Sequence, residues 1–333
     1  MVLTAGGLAL LAAVIVAAAV MRGGTAAPAD ARDVVRVGVL QFGTVNWELD
    51  VIQHHGLDAK EGVKVEPVVL ASKNATAVAL QGGAVDVIVT DWIWVTRQRS
   101  NGIDYTFAPH SVIAGGVIVR PDSGIRSLDD LRGKKIGVAG GPVDKSWLLL
   151  RAYALKTIGV DLATVAEPVY GAPPLLNELM LKGELPAVLT FWNYEARLKA
   201  KGMKQVIAIR DVLRSFGGSR DVPVVGWVFS EKWAKTHEAA INGFLRASAA
   251  AKKILATSDE EWERIRPLTD AEDETTLVSL RDAYRSGIPT GDNDAEAKAA
   301  QAIFSVLAKT GGKDLAGDST EIEPGTFWNG TAH

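Results

Sequence analysis

Between Ser127 and Trp147 the chain reads SLDDLRGKKIGVAGGPVDKSW, and few folds accommodate such a stretch. Ser127 is placed to cap a short helix over 127–131, whose two aspartates sit at the positive end of its dipole. Gly133 stops that helix and Lys134-Lys135 turns the chain. Residues 136–139 form a short apolar run bounded by glycines, the pattern of a buried parallel strand. Gly140-Gly141-Pro142 then leads into a helix on which Trp147, Leu150, Ala154 and Ile158 share one face. A strand passing through a glycine turn into a helix amino terminus leaves backbone N–H groups pointing outward. A small ligand can approach such a turn closely, because glycine adds no side chain. The pattern predicts a binding cleft.

The flanking sequence repeats this alternation. Strands are expected at 34–40, 63–70 and 85–90, with helices at 46–55 and from a cap at Asn74 through Gln81. Extended runs follow at 105–109 and 113–120. A second unit holds strands at 136–139, 165–169, 187–190 and 205–209, with helices at 144–158, 173–182 and 193–201. Residues 222–229 (VPVVGWVF) are extended again, and helices alone follow at 231–256, 259–266, 271–286 and 294–309. The tail from Gly311 is polar and Gly-rich, with Trp328 its one docking residue. Strands separated by helix-length segments imply βαβ units and parallel sheets. Two such units joined by two extended crossings predict an α/β protein of two lobes around a cleft. The lobes are expected at 33–118 with 224–310, and at 119–223, followed by a tail at 311–333.

Composition narrows the functional classes. At 333 residues the chain is long enough for two domains. A net charge of −3 with scattered basic residues gives no surface for nucleic acid. The absence of cysteine removes disulfides, iron–sulfur ligation and thiol catalysis. Residues 2–21 are uncharged and almost wholly apolar, and small residues follow through Ala29. The segment 1–29 reads as a secretory signal cleaved after Ala27 or Ala29, although no Lys or Arg precedes the apolar run. Its length also approaches the ~20 residues that span a bilayer, so an uncleaved anchor is the alternative. Either reading places the rest of the chain outside the cytoplasm, in the periplasm.

With its segments in this order, the chain resembles the solute-binding proteins of ABC importers. The group is the one named for nitrate, sulfonate and taurine uptake and for thiamine-pyrimidine precursors. The carrying residues are VRVGVL at 35–40, LQGGAVDVIVT at 80–90, SLDDLRGKKIGV at 127–138 and WVFS at 227–230. The resemblance spans roughly 33–310 and is most specific at LDDLRGKKIGV. It implies a type II periplasmic-binding-protein fold with two interlobe crossings and a helical carboxy-terminal block. The partners it implies are a small solute and a membrane permease, with the protein itself a monomer and no cofactor or metal required.

In that family, ligand contacts come from strand ends facing the cleft, as in open α/β sheets generally. Carried over, this points to Gln41, Phe42, Thr44, Asn46 and Trp47, to Thr90, Asp91 and Trp92, and to Gly115 and Gly116 at the crossing. From the second lobe come Gly140, Gly141, Asp144, Lys145, Phe191, Trp192 and Asn193, with Trp227 on the return crossing. Trp47, Trp92, Trp192 and Trp227 would then wall one cleft, with Trp94 beside them. Aromatic residues at strand ends are also common packing residues, and Asp144 serves equally well as a plain helix cap.

Aromatic walls with one or two carboxylates favour a heteroaromatic or amine-bearing solute. A sulfonate or nitrate would need a cation, and Lys145 alone supplies one in this set. A membrane-tethered sensory protein using the same closure is a further alternative. The relatives that synthesise the thiamine pyrimidine use a Cys-rich iron motif that this chain lacks, so enzymatic activity is not expected. The histidines carry no catalytic or metal motif: His54-His55 ends a helix, His110 follows a proline, His237 lies on an exposed helix and His333 is last.

Overall fold

The computed structural model describes residues 32–330 apart from 218–220, 292, 311–312 and 314–315. The expected leader at 1–29 and His333 lie outside the described residues. Among the described residues no helix is long and apolar enough to cross a membrane.

The alternating segments build two five-stranded sheets. The first takes β1 (Asp33–Leu40), β2 (Val63–Leu70), β3 (Val87–Asp91) and β4 (Tyr105–Ser111). The second takes β5 (Gly116–Val119), β6 (Lys135–Ala139), β7 (Glu167–Gly171), β8 (Ala187–Thr190) and β9 (Lys204–Ala208). The last strand, β10 (Val225–Ser230), returns to the first sheet. The orders are β2-β1-β3-β10-β4 and β7-β6-β8-β5-β9, so both sheets share one plan. In each, three parallel strands are followed by an antiparallel strand that lies next to a crossing in sequence. The resulting fold is α/β with two lobes, and the carboxyl ends of the parallel strands in both sheets reach the cleft.

Several boundaries differ from expectation for local reasons. β5 pairs with β8 and β9 throughout, so the first crossing is 112–115 and the strand itself belongs to the second lobe. Ser72, not Asn74, caps helix Lys73–Gln81, accepting from Ala75 N at 3.1 Å. Around Ser127 the roles are reversed. Asp130 Oδ2 accepts from the Arg126 and Ser127 backbone, both at 2.9 Å, and the helix shrinks to the 3₁₀ turn Asp129–Leu131. Helix Leu162–Val165 takes the first residue of the strand expected at 165–169, which runs instead from Glu167. The expected helix 231–256 breaks at His237 into Glu231–Thr236 and Glu238–Thr257. Helix Ile209–Ser215 follows β9 directly.

The carboxy-terminal part joins the lobes more than expected. Helix Asn293–Thr310 buries Ala300, Ile303, Phe304 and Leu307 in one cluster with Trp92 of the first lobe and Trp147 and Leu148 of the second. The tail docks through its backbone as well as through Trp328. Phe107 N donates to Thr326 O and Trp328 N donates to Phe107 O, both at 2.8 Å, while the Trp328 ring meets Phe229 edge-on. β4 is a sheet edge with unpaired backbone groups, and the tail covers them.

At the first crossing Gly115 has φ +99°, and any side chain there would run into the Thr190 carbonyl, so the two lobes meet backbone to backbone. Behind it lies a space of about 380 Å³ between helix Trp192–Ala200 and helix Glu274–Ser286, lined by Glu195 and Arg210 among others. Glu195 is 8% exposed, and burial pushes its carboxyl up to about 7. Lys199, at 3.7 Å and itself half exposed, offsets this only in part. Unfolded, Glu195 ionises near 4.5, so the proton retained in the folded state favours folding below that pH and the benefit is lost as pH rises to about 7. Glu195→Gln should therefore be more stable than the native chain near pH 8, by up to ~3 kcal/mol, with the difference vanishing towards pH ~4.5. Urea unfolding of both proteins at the two pH values checks this, and parallel pH profiles would contradict it.

Candidate functional site

A cavity of about 140 Å³ lies between the two sheets, walled by both lobes. From the first lobe come Val39 and Leu40 at the end of β1, Gly43, Thr44 and Val45 after it, Lys73 and Thr76 after β2, and Val89 and Thr90 on β3. His110 and Ser111 at the end of β4, Ile113 and Ala114 at the crossing, and Val225 on β10 continue the wall. Lys252, Tyr284 and Ile288 come from the carboxy-terminal helices and the turn after them. The second lobe adds Asp144, Lys145, Phe191, Trp192 and Asn193. Its residues follow β6 and β8 and open the two helices that start there, so the topology alone delivers them to the cleft.

Of the residues expected from sequence, Thr44, Thr90, Asp144, Lys145, Phe191, Trp192 and Asn193 line this cavity. Asp91 lies just behind it, capping helix Trp92–Ser100 through Trp94 N at 2.8 Å and accepting from Lys73 Nζ at 3.1 Å. Asn46 shapes the loop after β1, donating to the Leu40 and Gly43 carbonyls at 2.8 and 2.9 Å. Gln41 is exposed, and Phe42 meets Tyr194 of the other lobe edge-on. Gly140 and Gly141, both with positive φ, form the turn before Asp144 without lining the cavity. Gly115 faces the space behind the crossing, and Gly116 begins β5.

The four-tryptophan wall reduces to Trp192. Trp92 is a core residue packed on Phe304 and Phe327, and Trp94 stacks on Tyr105. Trp47 is buried behind Trp192, with its Nε1 donating to Leu268 O at 3.0 Å. Trp227 is buried against Phe244 and donates to Ser248 Oγ at 3.1 Å. At these four positions the chain turns into a helix or runs within a sheet, and the large ring follows the apolar face into the core.

Two buried charge clusters face the cavity. In the first, Lys73 Nζ lies 3.1 Å from Asp91 and 3.7 Å from Asp144, bridging the lobes. Burial alone would lower the Lys73 ammonium, but the two carboxylates outweigh it and hold Lys73 above its ordinary value. Asp144 caps helix Lys145–Ile158 through Ser146 N at 2.8 Å, so the plain capping role is filled. Lys145 is 9% exposed, and burial first and Lys73 second hold it below its ordinary value. Its ammonium makes no hydrogen bond among the described residues.

The second cluster belongs to the first lobe. Glu48 is fully buried and accepts from Ser248, Lys252 and Tyr284. Burial would raise its carboxyl, and Lys252 overcomes this to keep it low. Lys73, His110, Lys252 and Tyr284 were not foreseen. Lys73 follows β2, an end that the strand-end rule could have included. His110 reads as a loop residue because Pro109 precedes it. Lys252 is adjacent to Lys253, and nothing in the local sequence shows which of the two turns inward.

The lobes also touch outside the cavity. Ser279 Oγ donates to Ala196 O at 2.9 Å, Arg197 to the Asp270 carbonyl at 2.9 Å, and Lys201 pairs with Glu272 at 2.6 Å. Trp192 packs on Trp47 and Tyr284 of the opposite lobe, with ring centroids 5.9 and 6.2 Å apart. The structure is thus a form in which the cleft is shut over a small volume.

Comparison with known proteins follows the same lines. The periplasmic aliphatic sulphonate binding protein SsuA from Escherichia coli superposes with a TM-score of 0.68 at 18% identity, over 90% of this chain and 93% of that one. The alkanesulfonate-binding protein SsuA from Xanthomonas axonopodis pv. citri, bound to MOPS, gives 0.68 at 15% identity, over 89% and 98%. The periplasmic nitrate-binding protein NrtA from Synechocystis PCC 6803 gives 0.57 at 14% identity, over 76% and 70%. At such identities the likeness shows the fold, the two-lobe binding-protein fold expected from sequence. No curated protein matches the chain. Residues 51–261, more than half of the sequence, match the family described as NMT1/THI5 like, and the chain belongs to that family.

Proposed function

We propose that the protein is the extracytoplasmic solute-binding component of an ABC importer, taking a small solute by lobe closure and handing it to a membrane permease. The carrying observation is Lys145, a buried ammonium without a hydrogen-bond partner, facing a cavity that both lobes must close to form. A buried charge left unsatisfied is costly, and a ligand that supplies an acceptor removes the cost only in the shut form. The role is capture without turnover, performed by a monomer after export. The family and the binding-protein neighbours support this role. The THI5 part of the family name admits a biosynthetic relative, but this chain has no cysteine for the iron motif of those enzymes.

The cavity walls also bear on the solute. Phe191, Trp192, Tyr284 and the aliphatic residues around them favour a flat, largely apolar body such as a heteroaromatic ring. An amine-bearing solute is less well served. Asp144, the carboxylate on the cavity, is already engaged by Ser146 N and faces Lys73, whereas Lys145 awaits an acceptor. The solute is therefore a flat molecule carrying an anionic or strongly accepting group. Solved neighbours described as binding sulphonates and nitrate, both anions, support that preference.

Two outcomes are expected. Lys145→Met and Trp192→Ala should each weaken solute binding by roughly tenfold or more, whereas Trp92→Ala should lower thermal stability, by ~3–5 kcal/mol as for other emptied aromatic core sites. Calorimetric titration and thermal melts of the three variants decide this, and unaltered affinity in the first two would remove the cavity as the binding site. Small-angle scattering should also show a smaller radius of gyration with solute than without. An unchanged radius alongside confirmed binding would exclude closure as the mechanism.

A further inference from the structure

The wall that the first lobe gives the cavity rests on a buried chain of hydrogen bonds whose directions can be read donor by donor. Trp227 Nε1–H donates to Ser248 Oγ at 3.1 Å, and the Ser248 hydroxyl proton goes to Glu48. The Tyr284 hydroxyl donates to the same carboxylate at 3.0 Å, and the Lys252 ammonium is its third donor. Lys252 Nζ also lies 2.7 Å from His110 Nδ1. An ammonium has only protons to give, so Nδ1 accepts and the single ring proton sits on Nε2. Glu48, Ser248 and Nδ1 are thereby occupied. What remains for the cavity is His110 Nε2–H, which has no partner among the described residues, and the third proton of Lys252.

Charge adds a second restriction. Lys252 is matched by Glu48, and the imidazole is neutral: burial first, and Lys252 second, bring it down to about 3. The other groups facing His110 are Glu48 at 3.8 Å and the Trp227 ring at 4.7 Å, with Lys73, Asp144 and Lys145 on the cavity's other walls. This wall therefore offers hydrogen-bond donors without net charge, unlike Lys145. The geometry points to a solute whose second end is a neutral hydrogen-bond acceptor, a carbonyl oxygen or a ring nitrogen, read by His110 Nε2–H and Lys252. This rests on the cavity being the solute site, as proposed above, and adds the chemistry of the end away from Lys145. An amino group there would find Glu48, Ser248 and Nδ1 already engaged and only the Tyr284 oxygen to take a proton. It would gain nothing over a plain ring hydrogen.

Benzoate, nicotinate and isonicotinate share a carboxylate for Lys145 and differ in whether the ring carries an accepting nitrogen, while 3-aminobenzoate carries a donor instead. In titrations of the full chain followed by tryptophan fluorescence, one of the two pyridine carboxylates should bind roughly tenfold tighter than benzoate, the ratio one hydrogen bond sustains. 3-Aminobenzoate should bind no tighter than benzoate, and His110→Phe should abolish the pyridine advantage. In the ligand-free protein, nitrogen-15 resonance should show the His110 proton on Nε2 from about pH 5 to 8. Lys252→Met should let the ring titrate nearer its ordinary 6.5. Equal affinity for benzoate and both pyridine carboxylates, or a proton on Nδ1, overturns this inference and leaves the cavity's role intact. Failure of every carboxylate to bind, with Nε2 protonated as expected, supports the donor wall and overturns instead the anionic end assigned to Lys145.

Discussion

Lys73 makes the contact on which the closed arrangement turns. Its ammonium stands between Asp91, which opens a helix of the first lobe, and Asp144, which opens a helix of the second. Each aspartate accepts a backbone N–H of its own helix, so neither can swing away to follow the lysine. The bridge therefore exists only when the lobes are at this separation. Two capping residues, one after β3 and one after β6, become one electrostatic link because a single cation reaches both.

Such a link does not by itself favour closure. Burying paired charges costs desolvation energy that their attraction only roughly repays. The Lys73 bridge thus orients the lobes, and the apolar and aromatic contacts supply the attraction. Trp192 on Trp47 and Tyr284, and helix Trp192–Ala200 on helix Glu274–Ser286, bring apolar surface together beside the cavity. Helix Asn293–Thr310, buried against both lobes, and the backbone approach at Gly115 confine the motion further. Lys145 is a charge that this arrangement buries without giving it a hydrogen bond among the described residues.

Much of the fold was legible in the sequence because it is written in local patterns. Alternating valines in β1, the apolar run of β8 and helix Pro173–Lys182 were located from periodicity and breakers alone. The site was legible where topology brings it to the cleft, at Thr44, Thr90, Asp144, Lys145 and Phe191 to Asn193. It was not legible where long-range packing decides direction. Trp92, just past β3, and Trp227, on β10, stand where expected along the chain but point into the core, because the facing residues Phe304 and Phe244 come from helices more than a hundred residues away or on another layer. His110 and Lys252 meet only because helix Glu238–Thr257 packs over the face of the first sheet on which β4 carries His110. No local signal records that meeting.

The two clusters also differ in what a ligand can change. Around Glu48 the carboxylate, Ser248 Oγ and His110 Nδ1 already have donors, all from the first lobe, so this wall has one consistent arrangement of protons. Around Lys73 the groups are two cations and two carboxylates, formally neutral, yet the ammonium of Lys145 is held low by burial and by its like-charged neighbour. An anion placed beside Lys145 counters both causes by adding an attraction that stabilises the charged form against burial and against Lys73. The second lobe thus carries the responsive charge, and the first lobe carries the committed donors. On the proposed closure, recognition is divided, the first lobe presenting donors to an acceptor on the solute. On the same proposal, the second lobe completes the site by bringing a charge that needs an acceptor to meet it.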